Sequence, residues 1–135
     1  MARFAALVLV STGGGLGALA RWGWSVAWPH DSGGFPWATL ATNLVGCAAI
    51  GVLLAVVEAR KPGWEAARLF VGVGVLGGFT TFSTYVVDLG QLASAGEPWL
   101  ALGYGAGTLI GAVVATWVAV TATTGWLRRW PRRAR

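Results

Sequence analysis

Gly72-Val73-Gly74-Val75-Leu76-Gly77-Gly78-Phe79-Thr80-Thr81-Phe82-Ser83-Thr84-Tyr85 decides how this chain is read. It lies in an apolar run, residues 69–93, that is long enough to cross a hydrocarbon core, which takes about 20 residues. Yet paired glycines followed by β-branched and hydroxylated residues propagate a helix poorly, and here they fall near mid-membrane. The pattern predicts a membrane helix that breaks. A broken transmembrane helix exposes carbonyls at one half-helix end and amides at the other, which is how several transporters hold ions. After the break Phe82 and Tyr85 are three apart and share a face. Aromatic residues at this spacing usually pack, but the edge of a ring is electropositive, so a pair turned edge-on to a path favours an anion.

Working outward, three further apolar stretches span 4–28, 37–57 and 99–127, and the four together take up nearly the whole chain. The composition agrees. Of 135 residues, 56% are hydrophobic and only 11% charged, with 21 glycines. A soluble domain carries about a quarter charged residues, and a chain of this length cannot bury so much apolar surface in one core, so the surplus must face lipid. The first run continues past the small residues Ala18-Leu19-Ala20 into Arg21-Trp22, which predicts a span and not a cleaved leader. Eight of the nine tryptophans (Trp22, Trp24, Trp28, Trp37, Trp64, Trp99, Trp126, Trp130) lie near span ends, as interface belts require, and only Trp117 is mid-span.

The formal charge is +5, but the basic residues sit at span ends, not along a soluble face, so nucleic acid is not the expected partner. With four spans the N-terminus, the second loop and the C-terminus share a side. That side holds Arg3, Arg60, Lys61, Arg68, Arg128, Arg129, Arg132, Arg133 and Arg135, nine of the ten basic residues; the tenth, Arg21, lies inside the first span. The positive-inside rule then predicts that both termini are cytoplasmic. Cys47 is the only cysteine and His30 the only histidine, which excludes a disulfide framework and a cysteine–histidine zinc cluster.

The spans also carry glycine at helical spacing: Gly13 and Gly17, Gly74 and Gly78, then Gly103, Gly107 and Gly111. Such pairs let helix backbones approach closely, within the bundle or between subunits. Polar residues at depth face a partner or an aqueous path. Thr39 and Asn43 share a face of the second span, and Tyr104, Thr108, Ala112 and Thr116 form a stripe on the fourth. A threonine hydroxyl can return to its own helix, whereas the Asn43 amide offers two donors and an acceptor and is a candidate for touching a substrate.

These residues resemble one family closely, the Fluc fluoride channels, also called CrcB proteins. The match runs through all four spans. Gly13-Gly14-Gly15-Leu16-Gly17-Ala18-Leu19-Ala20-Arg21-Trp22 looks like the family's glycine-rich opening; Thr39-Leu40-Ala41-Thr42-Asn43-Leu44-Val45-Gly46 is similar to its threonine, asparagine and glycine signature; Gly77-Gly78-Phe79-Thr80-Thr81-Phe82-Ser83-Thr84 is similar to its most specific motif. The resemblance implies an all-α membrane protein of four transmembrane helices with a broken third helix, paired as an antiparallel, dual-topology dimer. It implies passive, fluoride-selective conduction that relieves fluoride toxicity, in the plasma membrane of a prokaryote. By analogy Phe82 and Tyr85 present ring edges to the ion, Asn43 its amide, Tyr104 and Thr108 their hydroxyls along a polar track, with Ser83 and Thr84 adding to it. Arg21 lines the entrance, and the backbone carbonyls of Gly77 and Thr80 hold a central structural sodium ion that is not transported. The chain departs from the family in having Tyr85 where phenylalanine is usual and Ala112 where many relatives carry a hydroxyl.

The charge bias bears on the partner. One sequence that inserts both ways goes with balanced basic residues, and this one has nine against none. Both a homodimer and a heterodimer with an oppositely oriented paralogue are therefore expected arrangements, and a non-conducting or partner-dependent subunit is a third reading. A small proton-coupled multidrug exporter needs a carboxylate in the membrane, for which Asp88 near the end of the third span is the sole candidate. An enzyme is not expected. The spans hold no histidine, no paired carboxylates and no base beside Ser83.

Overall fold

A computed structural model describes residues 2–31, 33–60 and 62–129. Of the residues invoked above, Lys61, Trp130, Arg132, Arg133 and Arg135 lie outside that set. The described chain is helical throughout, without strands. Helix α1 is Ala2–Ala27 and α2 is Trp37–Arg60. The third span is two pieces: α3, residues 65–79, and α4, Ser83–Ser94, after which α5 runs Pro98–Arg129. Four segments, Arg3–Ala27, Trp37–Arg60, Glu65–Ser94 and Pro98–Arg129, are long and apolar enough to cross a membrane.

Local chemistry sets the ends. Trp28-Pro29 closes α1, because a residue before proline is pushed out of helical geometry. Gly63, at φ 109°, turns the chain between α2 and α3. Gly96, at φ 83°, ends α4; its N–H donates to Ala93 O (3.2 Å) and that of Glu97 to Leu92 O (3.0 Å), the paired bonds of a glycine-terminated helix. Pro98 then opens α5, where a missing N–H costs nothing.

The glycine-rich half of the third span does not form an ordinary α-helix. Arg68–Leu76 winds in wide π-type turns, with the Gly77 N–H reaching back to Gly72 O, a form found mostly as short stretches at functional sites. Glycine makes this possible by close packing: α3 lies along α1, and α2 lies along α5. A side chain at Gly17 would overlap the Val75 carbonyl, and one at Gly78 the Gly14 carbonyl, so the α1–α3 contact is backbone against backbone. On the fourth span the pattern differs. A side chain at Gly111 would meet Leu44 of α2, whereas one at Gly103 or Gly107 would meet no other element among the described residues within 4 Å.

The buried core is small and off-centre. Tyr85, Leu92, Ala101 and Tyr104 form it, with Phe35, Leu40, Leu89 and Leu100 packed around. Most large apolar side chains instead point outward, including Leu7, Leu16, Val113 and Trp117, as a lipid-facing surface demands.

Candidate functional site

The break in the third span is sharp. Thr80 is extended, with φ −70° and ψ 156°, between the last turn of α3 and the start of α4. Its N–H and its hydroxyl both return to Leu76 O at 3.0 Å, closing α3. Thr81 begins the other half: its hydroxyl accepts the Thr84 N–H at 3.1 Å and donates to Thr84 Oγ1 at 3.0 Å. A threonine accepting from the third residue on is a helix N-cap. The Ser83 hydroxyl lies 3.3 Å from the same oxygen.

Asn43 holds the gap from α2. Its Nδ2 donates to Thr81 O at 3.0 Å and its Oδ1 accepts the Thr81 N–H at 2.9 Å, so one side chain replaces both bonds that the helix gave up. The amide keeps a second N–H. Because the Thr81 N–H is turned to Asn43, the Gly77 carbonyl loses its helical donor, and neither it nor the Thr80 carbonyl accepts a hydrogen bond among the described residues. Those two oxygens suit a hard monovalent cation, in keeping with unwound carbonyls that coordinate sodium elsewhere. Among the described residues there is no cluster of histidine, cysteine or carboxylate side chains to hold a transition metal.

Two cavities meet at Thr81. A cleft of about 220 Å³ brings together Asn43, Thr80, Thr81, Phe82, Tyr85 and Thr108. A smaller one of about 70 Å³ is lined by Arg21, Ser25, Thr39, Thr42, Thr81 and Thr84, together with Ala38. Arg21 is half-buried and donates from Nε to the Gly78 carbonyl at 3.2 Å. Its charge thus sits at the open carbonyl end of α3, where a cation is favourable. The amide end of α4 points into the same region and favours an anion.

The aromatic residues form a chain from this point outward. Phe82 is 73% exposed, and its ring is 5.7 Å from that of Tyr85. Tyr85 is buried, lies 5.5 Å from the Tyr104 ring with the two planes tilted at 44°, and donates its hydroxyl to Gly105 O at 3.2 Å. Tyr104 is fully buried and meets Phe35 edge-on at 5.6 Å. Its hydroxyl donates to Asp88 Oδ2 at 3.1 Å, while that of Thr108 returns to Tyr104 O at 2.7 Å. In this chain, then, both hydroxyls expected along the α5 track serve protein partners. Asp88 is no terminal surface group. It is 3% exposed, and its other oxygen lies 3.8 Å from His30 Nε2.

Asn43, Phe82, Tyr85, Thr80 and Thr108 therefore share one cleft, Arg21 and Thr84 share the adjoining cavity, Ser83 stands exposed at the rim, and Tyr104 lies behind the cleft wall. Sequence reasoning passed over Thr81, which joins the two cavities, caps α4 and takes the Asn43 clip. The signal was present, since a threonine three residues before Thr84 at a helix break is a capping position.

A family model described as "CrcB-like protein, Camphor Resistance (CrcB)" matches residues 8–120. That interval holds every residue of both cavities. The chain is 52% identical over 103 residues to "Fluoride-specific ion channel FluC 2" of Streptomyces avermitilis, a stretch that is 76% of this chain and 65% of that protein, just under two thirds of its length. It is 47% identical over 116 residues to "Fluoride-specific ion channel FluC 1" of Streptomyces coelicolor, covering 86% of this chain and 75% of the relative. With "Fluoride-specific ion channel FluC 2" of Nocardia farcinica it shares 45% over 129 residues, 96% of this chain and 91% of the other. These relatives are named as ion channels, not as enzymes.

Proposed function

The chain belongs to the CrcB-like family of multi-pass membrane proteins, and from that premise we propose that it conducts fluoride passively, as part of a dimer whose two copies run antiparallel. The observation that carries this reading is the clipped break. Fluoride is small and strongly hydrated, so several donors must replace its water at once. At Thr81 the chain gathers the second N–H of Asn43, the hydroxyl of Thr84, the edge of Phe82 and the amide end of α4.

Each residue then has a role. Asn43 fixes the break and offers its second N–H to the ion. Phe82 turns a ring edge to the path and Tyr85 backs it, held by Gly105 O. Thr84 and Arg21 lead the anion in through the polar cavity, Arg21 raising its local concentration. Tyr104 and Thr108 shape the wall from α5. The Gly77 and Thr80 carbonyls hold a structural sodium ion between the two copies, which would neutralise the carbonyl ends that two broken helices bring together.

One chain leaves Phe82 uncovered at membrane depth, which favours a second copy across it. The bias of nine basic residues to one side favours a single insertion direction, with both termini cytoplasmic in a prokaryotic plasma membrane; the antiparallel partner is then an oppositely oriented paralogue, and a second copy of this chain if it inserts both ways. Asp88, the one carboxylate an exporter would need, is engaged by Tyr104 and His30.

The test is fluoride efflux by electrode from liposomes loaded with potassium fluoride and triggered with valinomycin, with chloride loading as control. Fluoride-only efflux is expected, from the chain alone if it forms homodimers and only with the paralogue if it does not. Equal chloride efflux, or silence from folded protein under both conditions, would refute the reading.

A further inference from the structure

The arginine-rich end of the molecule, opposite the His30–Asp88 pair, carries a feature that ion conduction does not use. There α2 and α5 part around a cleft of about 540 Å³, with Ala55 and Ala59 on one wall, Val120 and Leu127 on the other, and Glu58 and Arg128 toward the helix ends. Ala55 and Ala59 are one helical turn apart and make a low strip on α2 beside the Leu54 and Glu58 side chains that also line the cleft. Val120 and Leu127 are two turns apart and line the facing stripe of α5. The result is a slot with apolar walls at membrane depth and a cation at its outer end.

The charge at that end is predominantly basic: Arg128 and Arg129 form the last turn of α5, with Glu58 as the one carboxylate in the cleft lining. Glu58 takes part in an interaction of its own. The sequence continues with Arg132, Arg133 and Arg135. Basic pockets between transmembrane helices and arginine clusters just beyond a span attract anionic headgroups, and an arginine fork matches a phosphate in two-point contact.

We propose that this cleft binds one anionic phospholipid of the adjoining leaflet, its acyl chain between α2 and α5 against Ala55, Ala59 and Val120 and its phosphate on Arg128 with Arg129 beside it. A zwitterionic lipid fills the slot equally well but brings a cationic group to the same arginines, so the site discriminates by headgroup. The lipid splints α2 to α5, the two helices that carry Asn43 and Thr108. The proposal does not depend on which side of the membrane this end faces, nor on the ion conducted.

The test is thermal unfolding of the purified full-length chain in detergent, titrated with dioleoylphosphatidylglycerol or dioleoylphosphatidylcholine. The glycerol lipid is expected to raise the midpoint by about 5 °C and the choline lipid by less than half of that. Arg128→Gln with Arg129→Gln removes the difference. Ala59→Trp plugs the slot while keeping every arginine and should abolish the rise as well; Val120→Trp is a second plug should the first fail to fold. A full rise in a plugged variant overturns the cleft, leaving headgroup attraction to the arginine tail alone. Equal responses to the two lipids overturn the headgroup assignment. Native mass spectrometry of the unaltered chain is expected to retain one phosphatidylglycerol per protomer; a second copy of the chain filling the cleft would leave none, and that result also overturns the proposal.

Discussion

Replacing Asn43 with alanine removes the clip across the helix break, and the structure sets the size of the effect. Two hydrogen bonds of 3.0 and 2.9 Å to the Thr81 backbone are lost from a side chain that is only 8% exposed. Each contributes about 1 kcal/mol net, and a backbone group stranded without a partner costs about 1–3 kcal/mol. Water entering the 220 Å³ cleft offsets part of the second term. The sum is about 3 kcal/mol, a large share of the 5–15 kcal/mol typical of a folded domain. The unfolding midpoint should therefore fall by on the order of 10 °C, read from tryptophan fluorescence in detergent, with fluoride efflux reduced in parallel. Asn43→Asp separates support from permeation. It keeps an acceptor for the Thr81 N–H, but it faces Thr81 O with an oxygen and places a negative charge beside the path, so its efflux should fall further than its stability alone accounts for. If Asn43→Ala melts within about 2 °C of the unaltered chain and conducts normally, the clip is not what holds the break.

Three more outcomes follow from the same geometry. Phe82→Leu keeps an apolar side chain but loses the ring edge, so stability should change little while fluoride efflux drops about tenfold, and undiminished efflux would remove Phe82 from the path. Gly17→Leu drives a side chain into the Val75 carbonyl and should abolish the monodisperse peak in size-exclusion chromatography, whereas Gly23→Ala, with nothing of the chain within 4 Å, should keep or raise the melting midpoint by helix propensity. A double-mutant cycle of Tyr104→Phe and Asp88→Asn should give a coupling of about 2 kcal/mol, the worth of a hydrogen bond to a charged group; coupling near zero would mean the 3.1 Å contact does not stabilise the bundle.

Much of this site was legible in the residues themselves. The break at Thr80–Phe82 follows from Gly77-Gly78 and the threonine run, because helix propensity acts over a few residues. The shared face of Phe82 and Tyr85 follows from helical periodicity. The burial of Asp88 does not follow from its place near the end of the third span, because it depends on Tyr104 reaching it from α5. That the Arg21 Nε reaches Gly78 O, 57 residues away, is written in no local pattern. The glycine pairs of α1 and α3 meet as expected, while Gly103 and Gly107 face no other element among the described residues, since the spacing that makes a smooth face does not say which helix will cover it.

The sequence by itself determined the four spans, their short connections, the broken third helix and the one-sided charge, all of which rest on local properties: apolar length, propensity and the cost of moving arginine through lipid. Only the tertiary structure decided that Asn43 clips Thr81, 38 residues on, that Thr81 joins two cavities, and that Tyr104 gives its hydroxyl to Asp88. Those pairings depend on how each helix is rotated and how deep it sits against its neighbour, and rotation is set by the summed packing of whole faces, which no short stretch of residues encodes.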